Sequence, residues 1–286
     1  MKPAFDRAGA PRVPELKAAD WRTDLGSLID RLTLPATRRA IARLVDRWPP
    51  LRLLAWPGLL VASLPYIALR GIADDTGLPR QRLALEFDRA LGLGATPSER
   101  LQAWLFSGEL SRFDWFWLVI HASWFLLPAA ITGYVVLFRW PLFRSLATVR
   151  LATLYVALIG FLLLPTEPPW IATDAVRLLD LKAGGVVAID TNPLAAFPSL
   201  HIALPAAIAL WARAVGMRWW ALLYAVHTVL TVFDVIYLGE HFVADVLLGL
   251  GVAVLVVRWA QPRPEAAPVT ADPAVPEATR RSLAAS

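Results

Sequence analysis

Two histidines and one carboxylate stand out by position. In AFPSLHIALP, His201 follows Ser199 near the start of an apolar run; in YLGEHFVADVLLG, His241 opens another run, with Asp245 four residues later. Residues i and i+4 of a helix share one face, with Cβ atoms about 6 Å apart. A carboxylate at Asp245 can therefore hold one ring nitrogen of His241 and leave the other directed at an aqueous boundary, which is how a base or nucleophile is oriented. An acid inside an apolar span costs about 2.5–3.5 kcal/mol at the centre and less near the interface, so Asp245 needs a partner, and His241 is within reach. A single histidine near a membrane interface reads as structural. Two at one level, one with a carboxylate and one behind Pro198-Ser199, read as a site.

The elements that must position them are apolar. Of 286 residues, 57% are hydrophobic and 18% charged, too greasy a balance for a soluble protein. The 28 Lys and Arg against 23 Asp and Glu give a formal +5, but the basic residues lie between apolar runs, which argues against a nucleic-acid partner. The chain has no cysteine, so disulfide frameworks, thiolate zinc sites and cysteine nucleophiles are excluded. Runs long enough to cross about 30 Å of hydrocarbon lie near Leu51–Arg70, Trp115–Phe138, Ser145–Leu164, Leu194–Val215, Trp219–Leu238 and Phe242–Trp259. The expected fold is an all-α integral membrane protein of six transmembrane helices, with many of the 13 tryptophans near span ends as interfacial anchors.

Three sections follow: a basic N-terminal segment over 1–50, a six-span membrane catalytic domain over 51–259, and a Pro- and Ala-rich tail over 260–286 that is expected to be disordered. The polar start of the chain reads against a secretory signal peptide, and the first span reads as an uncleaved anchor. Arg139, Arg144 and Arg150 follow the second span; Arg213 and Arg218 join the fourth to the fifth. The alternate segments carry Asp74, Asp75, Glu86, Asp88, Asp174, Asp180 and Asp190. This asymmetry predicts cytoplasmic termini and a site on the outer face; the expected location is a bacterial cell membrane. Within the first outward segment, Gly71–Asp114, apolar residues alternate with charges at helical spacing and predict amphipathic helices lying on that face.

PSLH followed by GEHxxxD resembles the second and third signature motifs of the type 2 phosphatidic acid phosphatase superfamily, integral-membrane enzymes with six spans and an outward-facing site. The resemblance covers roughly Leu60–Trp259. Pro165-Thr166-Glu167-Pro168-Pro169-Trp170, with NPLAAFPSLH and YLGEH, is similar to the branch of inositol phosphotransferases and aureobasidin-resistance proteins. The resemblance implies that His241 is the nucleophile, that Asp245 orients it and that His201 protonates the leaving oxygen. Elementary chemistry agrees: a neutral imidazole attacks phosphorus without a metal, and a second imidazole acts as general acid for about 10²- to 10⁴-fold. Ser199 and the amides opening the fourth helix are candidates to hold phosphate oxygens.

The sequence also departs from the family pattern. A first motif of Lys followed seven residues later by Arg-Pro is absent, and Asp234-Val235 stands where the third motif opens with Ser-Arg. Cations that would neutralise phosphate are thus missing from both motifs. Arg177, Lys182 and Arg100 are the candidate substitutes, with surface charge as the alternative for each. Glu167 is a candidate for a polyol hydroxyl, and Asp234, near the outer end of the fifth span, is a candidate to reach the site. His227 reads as an interhelical hydrogen bond, and His121 has no partner legible in the sequence.

The expectation is a phosphotransfer enzyme acting on a phospholipid or other lipid phosphate among membrane lipids, through a phosphohistidine, with neither cofactor nor metal. Transfer of a phosphorylated, inositol-like head group to a lipid alcohol leads over hydrolysis of a lipid or polyprenyl phosphate. A transporter or non-catalytic module, and a metal site made of His201, His241 and Asp245, are the alternatives from other classes.

Overall fold

The computed structural model describes residues 49–72, 77–183 and 194–262. Most of the basic N-terminal segment, the tail beyond residue 262 and the acidic Asp74, Asp75 and Asp190 lie outside the described residues. The chain divides into two compact units, Met1–Leu54 and Ala55–Ser286. Of the first, the described part is a short 3-10 helix, Pro49–Leu54.

The second unit is built of helices: α1 (Ala55–Arg70), α2 (Leu83–Leu91), α3 (Pro97–Leu105), α4 (Arg112–Phe138), α5 (Phe143–Leu163), the single turn α6 (Pro169–Ala172), α7 (Leu178–Ala183), α8 (Leu200–Ala214), α9 (Arg218–Tyr237) and α10 (Val243–Ala260). Among the described residues the only β pairing is the isolated bridge between Thr166 and Ala195. Among the described residues five helical stretches are long and apolar enough to cross a membrane: Arg52–Arg70, Arg112–Phe138, Trp140–Leu163, Arg218–Tyr237 and Val243–Ala260. Their outer faces carry bare apolar side chains such as Leu126, Val229 and Leu255, at 70%, 70% and 61% exposure. A surface of that kind is stable against lipid and not against water. The protein is an all-α membrane protein.

The expected span Leu194–Val215 is shorter as a helix. α8 starts only at Leu200 and has 15 residues, about 22 Å at 1.5 Å per residue. Pro198 explains the late start, because a proline disfavours the helical conformation in the residue before it and cannot donate into the first turn. α8 is the central helix, packed by α5, α9 and α10, with Ile202, Ala203, Ala207, Ile208 and Trp211 wholly buried. Its neighbours, and not its own length, shield it.

Two amphipathic helices do occupy the first connection. Thr96 and Glu99 form a capping box that starts α3, and Ser111 and Asp114 form another that starts α4. α2 buries Ala84, Leu85 and Asp88, while Leu83, Phe87 and Leu91 stay exposed along another face.

Candidate active site

The site forms where α8, α9 and α10 meet at one end of the bundle. α9 ends in a tight turn whose Val235 carbonyl accepts the N–H groups of both Glu240 and His241, at 2.9 and 3.0 Å. Gly239 within it has φ +82°, and a Cβ there would come within 2.8 Å of the Val176 carbonyl oxygen, so only glycine makes this turn without strain. The next residues, Glu240 and His241, lead directly into α10. Gly249 on α10 lets that helix approach α8: a Cβ would lie 2.5 Å from the Ser199 carbonyl oxygen. The Ser199 N–H donates to the Asp245 carbonyl at 3.0 Å, which fixes the start of α8 against the first turn of α10.

This packing brings three predicted residues together. Asp245 Oδ2 lies 3.3 Å from His241 Nδ1 and accepts the Phe242 N–H at 2.8 Å. His241 Nε2 lies 3.0 Å from His201 Nδ1. For a neutral His241 beside an ionised Asp245, the proton sits on Nδ1; Nε2 is then the acceptor and His201 Nδ1–H the donor. Asp245 is wholly buried and His241 5% exposed. The lone pair on Nε2 thus faces an N–H that can deliver a proton, the relation of a nucleophile to a general acid on the opposite side of a group inserted between them. Such a group must part the two rings.

A second His–carboxylate pair adjoins the first. His121 Nδ1 on α4 lies 3.1 Å from Asp234 Oδ2 on α9, and the His121 ring packs against the His201 ring with centroids 4.7 Å apart. Trp124, nearly one turn along α4, covers His201 at 5.0 Å. The five side chains form a row: Asp245, His241, His201, His121, Asp234.

Sequence reasoning missed Asp88. Its Oδ2 accepts the Val243 N–H at 2.9 Å and its Oδ1 the Ala244 N–H at 3.2 Å, so α2 caps the helix that carries Asp245. Asp88 is wholly buried. Burial pushes its carboxyl from 3.8 up to about 6; the two amide hydrogen bonds oppose the rise and the Asp245 charge adds to it. The available signal was an acid on the same helical face as Ala84 and Leu85. Gln102 on α3 was also missed. Its amide donates to the carbonyls of Val176 and Tyr237, both at 2.8 Å, and accepts the Val176 N–H at 2.7 Å. It thereby staples α3 to the turn that precedes His241.

The candidate phosphate and head-group residues fare differently. Ser199 precedes α8 with its hydroxyl buried and without a hydrogen-bond partner. Arg177 grips Glu240, the neighbour of His241, through Nε at 2.7 Å and Nη2 at 3.3 Å, and lies 4.8 Å from the Trp170 ring centroid. Its charge is balanced by that carboxylate at the wall of the site. Arg100 engages the carbonyls of Gly92 and Leu93, at 2.6 and 3.5 Å, and so holds the turn between α2 and α3. Glu167 pairs with Arg80. The Lys182 side chain lies outside the described residues. Asp234 holds His121 as described, and His227 bonds Ser123 across the same two helices at 3.0 Å. Among the described residues no three His, Asp or Glu side chains form a metal-ligating cluster.

The family model that describes the PAP2 superfamily matches residues 83–259, from α2 to the end of α10. No curated protein and no solved structure matches the chain.

Proposed function

This chain belongs to the PAP2 superfamily, and on that premise we propose that it is a phosphatase-type enzyme of lipid phosphates working through a phosphohistidine at His241. The 3.0 Å contact between His241 Nε2 and His201 Nδ1, with Asp245 behind Nδ1 of His241, is the observation that carries this reading. The Nε2 lone pair attacks phosphorus; the bond from phosphorus to the leaving oxygen breaks, and that oxygen takes the proton from His201. Asp245 compensates the imidazolium that His241 becomes. An acceptor oxygen then attacks phosphorus, its proton returns to His201, and the phosphorus–nitrogen bond breaks to restore His241.

The finer reading is transfer of a phosphorylated, inositol-like head group to a lipid alcohol. It is supported by the absence of the cations that the family carries in its first and third motifs. A phosphodiester has one negative charge at the reacting phosphorus and a monoester nearly two, so a diester donor needs less positive charge. The enzyme works at the outer membrane face, with Arg177 and Ser199 near the phosphate and Glu167 toward the head group.

Thin-layer analysis of products from the purified chain tests this. Offered 32P-labelled phosphatidylinositol and phosphatidic acid, the enzyme should turn over the diester faster, and added diacylglycerol or ceramide should divert label from water-soluble product into lipid. A preference for phosphatidic acid, with free phosphate as the only product at every alcohol concentration, would leave plain hydrolysis.

A further inference from the structure

The missing cations raise the question of what meets the non-bridging oxygens of the phosphoryl group. Arg177 is engaged with Glu240 and Arg100 with two backbone carbonyls. Asp234 occupies the position at which the third motif elsewhere opens with Ser-Arg, and it is wholly buried in an apolar span, with Oδ1 lacking a hydrogen-bond partner. A carboxylate so placed is expensive unless it holds a cation or a donor. What it holds is His121.

The same two helices supply an internal comparison. α4 and α9 are joined by two histidine bonds, His121 to Asp234 at 3.1 Å and His227 to Ser123 at 3.0 Å. A neutral hydroxyl suffices for the second, which has no ring contact with the site. Only the histidine against His201 has a carboxylate. His121 is also exposed to the same small degree as His241, 7% against 5%, and with Nδ1 occupied by Asp234 its free nitrogen is Nε2.

We propose that His121, held by Asp234, is the third imidazole of the active site and donates its Nε2–H to a non-bridging phosphoryl oxygen, in place of the family's missing cations. This rests on the phosphohistidine reading above. Asp234 fixes the ring and compensates its charge as an imidazolium, as Asp245 does for His241. The pair supplies a directed donor with little net charge, which suits a phosphorus bearing one negative charge.

The test compares His121→Ala, His121→Gln, Asp234→Asn and His227→Gln in the full chain in detergent micelles, with 32P-labelled phosphatidylinositol and phosphatidic acid. His121→Ala should lower kcat about 10²-fold, the usual loss for one oxyanion donor, while KM changes little. Labelled enzyme should still form, more slowly. His121→Gln, whose amide N–H₂ can replace the ring donor, should recover roughly tenfold of that loss, and Asp234→Asn should fall between. His227→Gln should turn over as the wild type does. Wild-type turnover in His121→Ala overturns the inference. So does recovery of the melting midpoint without recovery of kcat in His121→Gln, since that pattern means packing alone. Absence of covalent label in the wild type would instead defeat the phosphohistidine reading, and the two failures are thereby told apart.

Discussion

In the proposed mechanism the chemistry turns on His241, and its environment makes the consequences of removing it sharp. It sits at the edge of the bundle, 5% exposed, with polar neighbours on both ring nitrogens. His241→Ala should therefore abolish both turnover and covalent labelling while the melting midpoint stays within a few degrees. Asp245→Asn should cost roughly 10²- to 10⁴-fold through the wrong tautomer and an uncompensated imidazolium. His201→Ala should spare substrates whose leaving group is already weakly basic, such as a p-nitrophenyl phosphodiester, and penalise lipid donors heavily; equal loss on both would remove the acid role from His201. The His241–Asp245 pair was legible because four residues separate its members and helical geometry does the rest. His121 and Asp234 are 113 residues apart, and nothing local to either announces the other. The departure from Ser-Arg at Asp234 marked the position without revealing its partner.

At the scale of elements, the start of α10 is held by two carboxylates from different parts of the chain, Asp245 on Phe242 and Asp88 on Val243 and Ala244. Asp88 titrates near 6 in the folded protein against an ordinary 3.8. The folded state thus holds this proton more tightly than the unfolded chain does, and the Asp88 contribution to stability is fully present below about pH 4. It declines as pH rises toward 6 and is level above. Asp88→Asn should abolish that part of the slope in melting midpoint against pH, measured in detergent. A wild-type slope of the opposite sign between pH 4 and 6, unchanged in Asp88→Asn, would contradict the assignment. Asp88→Ala should in addition lose about 0.5–2 kcal/mol of capping. The amphipathic helices themselves were legible from charge spacing, but the capping contact was not, because it depends on how α2 docks. The start of α8 was misjudged for a related reason: Leu194–Val215 is a continuous apolar run, and hydropathy does not separate the turn before Pro198 from the helix after it.

For the whole molecule, the question is which side of the membrane the row of imidazoles faces. α9 runs about 30 Å from Arg218 to Tyr237 and α8 returns from His201 to Ala214, so the connection bearing Arg213 and Arg218 lies a helix length from His201 and His241. Arg139 and Arg144 flank the turn between α4 and α5, likewise at the far end of the helix that carries His121. Basic connections are retained on the cytoplasmic side, and on that rule the histidines, α2 and α3 are expected outside. The chain has no cysteine, so single cysteines report without background. In intact cells, Ala95→Cys, in the turn between α2 and α3, should react with a membrane-impermeant maleimide, and Ala278→Cys should react only after permeabilisation. Ala183→Cys, at the end of α7, should follow Ala95→Cys. The reverse pattern would turn the site inward and require a cytoplasmic lipid phosphate as substrate. Equal labelling of all three positions in sealed cells would mean that the arginine connections do not set the orientation, and the outer-face assignment would fall while the His–His–Asp geometry stood.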